Sequence, residues 1–329
     1  MSKVIRKALM AAVVLVMLAG CGSSAKEDAL TKITLSEVTH SLFYAPQYVA
    51  MGLGYFEEFG IQLEVFNGGG ADKVMTAVMS GDAEIGLCGP EQTVYVYNQG
   101  NTNYPVTFAQ LTKRDGSFIV GRESDENFTV EDFRGKHIIG GRKGGMPVMC
   151  LEYSLRMNGL IPGEDVTVDT SIAFDAMSGA FISGIGDFVT AFEPLAGNME
   201  NNGQGYVLMS LGELSGDIPY TAYNARREYI KKNPEIIRNF ARAVSKGQDF
   251  VWNHTAKEIA TIVAPYFADT KIEDIERVIE RYKSIEAYAR TTALSEKDYN
   301  HLLDVLDSAG ELTARPPYTD LVSLEFFVN

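Results

Sequence analysis

The sequence predicts an α/β fold divided into two lobes. One hydrophobic core usually serves a chain of up to about 250 to 300 residues, and this chain has 329. Hydrophobic residues make up 46 % of it and charged residues 22 %, which is a globular composition. From Lys32 onward, short apolar runs alternate with helical patterns, as they do in a mainly parallel sheet covered by helices.

The N-terminal segment is separate from this pattern. Three basic residues precede an apolar run over 8–19, which is shorter than the roughly 20 residues of a membrane-spanning helix and has the layout of an export signal. The next residues, Leu18-Ala19-Gly20-Cys21, resemble the lipobox of bacterial lipoproteins, whose cysteine is acylated, for example with palmitate, before cleavage. The resemblance implies a signal peptide over 1–20, lipidation of Cys21 and a tether over 21–31. The alternative is a plain signal with a chance cysteine.

Charge and composition exclude several classes of protein. A net charge of −14 argues against nucleic-acid binding. Four histidines are scattered without metal-ligand spacing, so we expect no metal site, and no cofactor is implied. Cys88 and Cys150 fall in different predicted lobes, where a disulfide would lock any hinge. We therefore expect two buried thiols.

The periodicity predicts each element in turn. In the first lobe we expect strand 33–38, helix 45–59, strand 61–66, helix 72–80, strand 83–87, a helix from Glu91 to about Asn98, and strand 106–111. The second lobe should contain strands 117–121 and 136–140, helix 147–158, strand 166–171, helix 176–183, strand 188–192 and helix 195–201. The chain returns near 217–220, and the remainder reads as mostly helical.

The helical remainder carries three predicted N-termini. Asn233-Pro234-Glu235 combines a capping residue, a first-turn proline and an acid, and capping boxes are predicted at 270–273 and, more loosely, at 295–298. The two crossings between lobes divide the chain into lobe 1, residues 32–114 and 219–329, and lobe 2, residues 115–218.

Five loops that follow strands are candidate ligand-binding loops. In open α/β sheets, ligands bind beyond the carboxyl ends of the strands, where helix N-termini offer unpaired N–H groups. These loops are 39–45, 67–70, 88–91, 142–147 and Glu193-Pro194.

Glycines and acids are the first candidates in these loops. Gly144 and Gly145 would let the backbone approach a ligand closely, or they form an ordinary turn. Glu91 and Glu193 each adjoin a proline after a strand, where two converging carboxylates would favour a ligand with amino or cationic donors. Either acid alone could equally be a solvated loop residue.

Aromatic and hinge residues are the second candidates. Phe43 and Tyr44 could stack on a flat ligand or pack between the lobes. Arg114 and Asp115, at the predicted crossing, could contact the ligand or brace the hinge. The chain contains no G-x-S-x-G, P-loop, dinucleotide or C-x-x-C motif, and we expect no enzyme activity.

Five segments resemble the extracytoplasmic solute-binding proteins of ABC importers, in the branch that includes sulfonate, taurine, nitrate and thiamine-pyrimidine binders. The resemblance covers about residues 32–320, and its segments are 43–65, 68–87, 144–160, 186–194 and 233–251. It implies a type II periplasmic-binding-protein fold, with two Rossmann-like lobes joined by a two-segment hinge. The residues that it and the loops place around a ligand are Phe43, Tyr44, Gly69, Gly70, Glu91, Asp115, Gly144, Gly145, Met146 and Glu193.

The resemblance also implies a function. The protein is expected to be a monomer, lipid-anchored on the extracytoplasmic face of the cell membrane, that delivers a small molecule to an ABC permease and its ATPase. Carboxylates and aromatic residues in the loops, with few hydroxyls, favour an aminopyrimidine or thiamine-related ligand over a sulfonate or taurine. The pattern is also compatible with a sensor partner and with a pyrimidine-precursor synthase of the same fold, although that enzyme is cytoplasmic and its cysteine-rich motif has no counterpart here.

Overall fold

The computed structural model describes residues 30–328, so the predicted signal peptide, Cys21 and nearly all of the tether lie outside the described residues. Two five-stranded sheets organise the rest. Sheet A contains β1 (Thr31–Glu37), β2 (Ile61–Asn67), β3 (Ile85–Cys88), β4 (Pro105–Thr112) and β10 (Thr221–Arg226), in the order β2-β1-β3-β10-β4. Sheet B contains β5 (Ser117–Gly121), β6 (His137–Ile139), β7 (Thr167–Asp169), β8 (Phe188–Phe192) and β9 (Tyr206–Ser210), in the order β7-β6-β8-β5-β9.

Each sheet is mainly parallel with one reversed strand. In sheet A, β10 runs antiparallel between β3 and β4, and in sheet B, β5 runs antiparallel between β8 and β9. The chain therefore passes from sheet A to sheet B after β4 and returns after β9, which makes a hinge of two segments. The predicted two-lobed α/β architecture is confirmed, and the residue boundaries of the lobes stay a prediction.

Helices cover the sheets. They are α1 (Ala45–Gly52), α2 (Tyr55–Glu58), α3 (Ala71–Ser80), α4 (Glu91–Asn98), α5 (Met146–Met157), α6 (Met177–Ile182), α7 (Leu195–Asn201), α8 (Leu211–Ser215), α9 (Arg227–Lys232), α10 (Pro234–Asn253), α11 (Ala256–Val263), α12 (Ile272–Ser284), α13 (Glu296–Ser308) and α14 (Tyr318–Leu321). Short 3-10 turns lie between several of them, including Leu42–Tyr44 directly before α1.

The predicted helix over 45–59 is in fact two helices. α1 ends at Gly52, and α2 begins only at Tyr55. Between them Gly54 has a left-handed φ of +70°, a conformation that glycine reaches without steric cost and that interrupts a right-handed helix. The apolar spacing continues across this break, so periodicity alone did not locate it.

Three elements around the return from lobe 2 were missed. β9, the short helix α8 and β10 all lie in a stretch for which no element was predicted. β10 is the most consequential of these, because it is buried at Thr221–Ala225 and lies inside sheet A. The chain after the return is mostly helical, as predicted, but its first six residues form this strand.

Two of the three predicted caps differ in the structure. The predicted start of α10 is confirmed, with Asn233 at the N-cap and Pro234 and Glu235 in the first turn, but Asn233 Nδ2 donates to the Tyr229 carbonyl at 3.1 Å and its side chain does not cap the helix. The box at 270–273 is absent, because the N-cap of α12 is Lys271, which makes no side-chain capping bond. Ser295 does cap α13, since its Oγ accepts from the Asp298 N–H at 3.1 Å.

The two cysteines of the described residues are buried free thiols, as expected. Cys88 ends β3 in lobe 1 and Cys150 lies in α5 in lobe 2. Within residues 30–328, no cluster of histidine, cysteine and acidic side chains could hold a metal ion. No helix in that range is both long and apolar enough to cross a bilayer.

Candidate functional site

Phe43 contacts both lobes and the hinge. It lies in the Leu42–Tyr44 turn after β1 and is 2 % exposed. Its ring centroid is 5.9 Å from Phe192 at the end of β8, 5.7 Å from Tyr220 in the hinge and 5.1 Å from Tyr282 in α12. The ring thus packs between the lobes in this arrangement, and its stacking on a ligand stays a prediction.

Glu91 is a buried carboxylate with one unpartnered oxygen. It begins α4 and is 2 % exposed. Its Oε1 accepts from Gln92 Nε2 at 3.1 Å, whereas no described group donates to Oε2. The carboxylate folds over Gly89, where an added Cβ would lie only 1.9 Å from Oε2. Burial raises the pKa of Glu91 to about 7, because water no longer solvates its ionised form.

Asp115 is a second acid of this kind, in the first hinge segment. It is fully buried. Its Oδ1 accepts from the Ser117 N–H at 2.7 Å and from Ser117 Oγ at 2.6 Å. Oδ2 has no partner at full hydrogen-bond geometry, but the Tyr220 hydroxyl and the Cys150 thiol lie close enough to this carboxylate to lower its pKa as donors. Burial raises the pKa of Asp115 to about 6, although the Ser117 bonds act in the opposite direction.

These two acids share one buried region, the acidic cluster, which we define as Glu91, Asp115, Tyr220 and Cys150. Burial raises the pKa of the Tyr220 phenol, and the charges of Asp115 and Glu91 raise it further. The same two acids act in the same way on the Cys150 thiol. This cluster therefore contains residues from lobe 1, from both hinge segments and from helix α5 of lobe 2.

Two buried carboxylate oxygens of the cluster lack donors. Glu91 Oε2 and Asp115 Oδ2 have no partner at hydrogen-bond geometry among the described residues, and neither has the Tyr220 hydroxyl, which can donate as well as accept. Buried polar atoms in folded proteins are nearly always paired, and an unpaired one is costly. The two carboxylate oxygens suit the N–H or O–H donors of a small molecule.

Tyr44 lines the same region from lobe 1. It is 2 % exposed, and burial raises the pKa of its phenol, with further contributions from the charges of Glu37 and Glu91. Its neighbour in sequence, Phe43, also reaches this region, because its ring contacts that of Tyr220, but Phe43 packs in addition against Phe192 of lobe 2 and Tyr282 of α12.

Glu193 differs from the other two predicted acids. Both of its carboxylate oxygens are bonded: Oε1 pairs with Arg281 Nη1 at 2.6 Å, and Oε2 accepts from the Gly197 N–H at 2.9 Å. Its side chain is completely buried. Glu193 thus ties lobe 2 to α12 rather than offering an unpartnered oxygen beside Glu91.

The predicted glycines lie at two helix N-termini. Gly69 and Gly70 precede α3, with φ values of +73° and +151° that side chains rarely adopt. Gly144 has a φ of +71°, and Gly145 is the N-cap of α5, whose first residue, Met146, is buried. Two helices therefore begin with glycine backbone, as the sequence indicated, and their contact with a ligand stays a prediction.

An exposed contact between the lobes lies beside these helix N-termini. Arg142 Nη2 of lobe 2 lies 3.9 Å from Asp72 Oδ1 of lobe 1. Next to this contact is a chamber of about 660 Å³, whose lining includes Asp72, Gln92 and Glu311. Gln92 also bonds Glu91, so the chamber lies one side chain away from the acidic cluster.

Comparison with known proteins identifies the family. The family model described as NMT1/THI5 like matches residues 43–258. The chain belongs to the NMT1/THI5-like family. A relative from Bacillus subtilis (strain 168), named "Putative binding protein YtlA", is 42 % identical over 300 residues, which cover 91 % of this chain and 90 % of that protein.

Solved structures show the same fold. The periplasmic aliphatic sulphonate binding protein SsuA from Escherichia coli matches with a TM-score of 0.72 at 15 % identity, over 90 % of this chain and 98 % of the other. The periplasmic nitrate-binding protein NrtA from Synechocystis PCC 6803 matches with a TM-score of 0.64 at 19 % identity, over 89 % and 84 %. This member of the NMT1/THI5-like family therefore has the periplasmic-binding-protein fold with two Rossmann-like lobes, as the resemblance implied.

Sequence reasoning missed two residues that the geometry places centrally. Tyr220 was recognised only as part of the return crossing, yet its hydroxyl belongs to the acidic cluster. Arg281 received no role, although it pairs with the buried Glu193. Its sequence signal, a second arginine four residues before it at Arg277, is common on solvated helix faces and does not by itself indicate a contact between lobes.

Proposed function

We propose that this protein is the lipid-anchored substrate-binding component of an ABC importer and that it captures a small organic molecule rich in N–H donors. An aminopyrimidine or thiamine-related compound fits this description best. The fold, the NMT1/THI5-like family and the relative described as a binding protein support the receptor role. The N-terminal resemblance to a lipobox supports the anchor.

One observation carries the choice of ligand class. Glu91 and Asp115, from lobe 1 and the hinge, are both buried, each has an oxygen without a partner at hydrogen-bond geometry, and both act electrostatically on Tyr220. Acceptors of this kind bind amino groups and protonated ring nitrogens, whereas a sulfonate or nitrate would add negative charge beside two carboxylates. The ligand therefore differs in charge from those named for the SsuA and NrtA structures.

A binding screen tests the proposal. The purified chain is mixed with aminopyrimidines, thiamine, taurine, alkanesulfonates and nitrate, and unfolding is followed by differential scanning fluorimetry and calorimetry. A specific ligand at a thousandfold excess over its Kd should stabilise the fold by about 4 kcal/mol. Stabilisation by taurine or sulfonates but not by amines would overturn the ligand class.

The same sample separates binding from catalysis. Mass spectrometry of a ligand released from the protein after prolonged incubation should return it chemically unchanged. Conversion of the ligand, or a covalent adduct on the chain, would instead support a pyrimidine-precursor synthase.

A further inference from the structure

Helix α12 lies against both lobes. It packs on α11 and on the Leu42–Tyr44 turn, which belong to lobe 1. On its other side it contacts the segment from Glu193 to Glu200, which follows β8 in lobe 2. This contact is separate from the hinge itself, where Arg114 pairs with Asp217 at 2.6 Å.

Three hydrogen bonds connect α12 to that segment of lobe 2. Arg281 Nη1 donates to Glu193 Oε1 at 2.6 Å, and Nη2 donates to Glu200 Oε2 at 2.9 Å. One residue along the helix, the Tyr282 hydroxyl accepts from the Glu193 N–H at 3.1 Å. A single guanidinium thus bridges two carboxylates of the opposite lobe, a geometry that favours arginine over lysine.

Burial makes Glu193 dependent on this contact. Its side chain is fully buried, while that of Arg281 is 24 % exposed. A buried carboxylate that loses its counter-charge is strongly destabilised, whereas the same carboxylate in an open cleft is solvated by water. The arginine therefore stabilises the described arrangement, in which the lobes are in contact and which we take as closed, much more than an open one.

A second arginine reinforces the positive face of the helix. Arg277 lies one turn before Arg281, and its Nη2 is 3.3 Å from the position of a Cβ on Gly197 in lobe 2. Its Nε and Nη2 have no hydrogen-bond partner among the described residues. Arg277 and Arg281 of α12 thus both face the carboxylate-bearing segment of lobe 2, whereas Lys283 donates to the carbonyls of Val251 and His254.

We propose that Arg281 is a latch that sets the balance between the closed and open states of the two lobes without contacting the ligand. The proposal depends on the fold and not on the identity of the ligand. Arg281 is thus a positioning residue: it acts on ligand affinity only through the fraction of molecules that are closed.

Energy transfer between two labels on the ligand-free protein tests the latch. Cysteines replace Glu164 of lobe 2 and Lys231 of lobe 1, both exposed, in a chain carrying Cys21→Ser. Cys88 and Cys150 are buried and should not react with the dyes. The matched control is Arg238→Gln, because Arg238 also pairs with two glutamates, Glu235 and Glu325, each at 2.7 Å, but within lobe 1.

The latch predicts a specific pattern of closure. Arg281→Gln should lower the ratio of closed to open molecules by ~10-fold, the size expected for loss of a charge-assisted pair. Arg281→Lys should recover part of that ratio, and Arg238→Gln should leave it unchanged. Added salt should lower the ratio in the parent and have little effect in Arg281→Gln.

Two results would overturn the latch. One is an unchanged ratio in Arg281→Gln, even if its melting temperature falls, because a purely structural ion pair would behave in that way. The other is an equal shift in Arg238→Gln. If Arg281→Gln does not fold, Arg281→Lys tests the latch instead. An unaltered ratio of closed to open molecules in Arg281→Lys would contradict the requirement for a bidentate guanidinium. A failed ligand screen would leave all these measurements valid.

Discussion

At the scale of single residues, the acidic cluster depends on two buried carboxylates that form no direct ion pair among the described residues, although the charge of Arg142 acts on Glu91. Glu91 has its pKa raised to about 7 by burial, against an ordinary value near 4.5. The folded state therefore holds this proton more tightly than the unfolded chain does. Below about pH 4.5 the group is neutral in both states, and as the pH rises to about 7 its contribution becomes increasingly destabilising.

Glu91→Gln should therefore flatten the dependence of stability on pH. Above pH 7 we expect the variant to gain stability relative to the parent, on the order of 3 kcal/mol, with little difference at pH 4.5. Denaturant unfolding at several pH values measures this. Glu64→Gln is the control, since Glu64 is exposed and pairs with Lys32. Equal pH profiles for the parent and Glu91→Gln would contradict the burial assigned to this carboxylate.

The same substitution should weaken binding of an amine ligand. An amide cannot supply a second acceptor oxygen or a negative charge, so we expect affinity to fall by ~10- to 100-fold. For a ligand that stays cationic, parent affinity should rise between pH 5 and 8 as Glu91 and Asp115 ionise, and this rise should be smaller in the variant. Titration calorimetry across that pH range measures both the loss of affinity in the variant and the pH dependence of binding. Tighter binding at low pH would show that the carboxyls act as donors instead.

Residue identity could be predicted from the sequence more easily than residue role. Glu91 and Glu193 have the same local signature, a strand, a loop and an adjacent proline, and the sequence treats them alike. The two glutamates differ only in their tertiary contacts. Arg281, the partner of Glu193, lies 88 positions away in sequence, so the residues next to Glu193 do not indicate the pair. Tyr220 was overlooked for the same reason, since its relation to Asp115 exists only once the two hinge segments lie side by side.

At the scale of elements, helix α10 depends on a glycine for its contact with α1. A Cβ added at Gly247 would lie 2.2 Å from the Pro46 carbonyl oxygen and 3.1 Å from Ala50 Cβ. The nearest atom belongs to the backbone, so it cannot move aside as a flexible side chain would. The two helices would have to separate to accept even a methyl group.

Gly247→Ala should therefore destabilise the protein by about 1 to 3 kcal/mol, despite the better helix propensity of alanine. Gly179→Ala in α6 is the matched control, because nothing lies within 4 Å of its added Cβ; it should be neutral or stabilising by up to about 1 kcal/mol. Urea unfolding of both variants measures the difference. If the two substitutions have the same effect, the close approach of α10 to α1 is wrong.

Element prediction succeeded where local pattern and tertiary context agree. Helix α3 and strand β8 were predicted to within one residue, because periodicity and glycine boundaries mark them clearly. β10 was not predicted because it forms a strand only by pairing with β3 and β4, which lie far away in sequence. The break at Gly54 was not predicted because the apolar pattern continues across it and only the φ of one residue interrupts the helix.

At the scale of the whole molecule, the proposed lipid anchor depends on Cys21. Cys21→Ala should release the protein from the membrane fraction, because the resemblance to a lipobox implies that the acyl chains are attached through that cysteine, and stable anchoring requires more than one such chain. Fractionation followed by mass spectrometry of the N-terminal peptide measures both location and lipid. Ser24→Ala should remain membrane-bound. Retention of the Cys21→Ala protein at the membrane would contradict the lipobox interpretation.

The position of β10 has a consequence for how the chain acquires its structure. The strand lies inside sheet A, between β3 and β4, yet it is made only after every residue of sheet B. During synthesis and export, β3 and β4 have no neighbour between them until residues 221–226 emerge. Lobe 1, which is the first to be synthesised, is therefore the last to be completed. A nascent chain that ends before β10 should remain a substrate for chaperones and proteases, even when lobe 2 has folded.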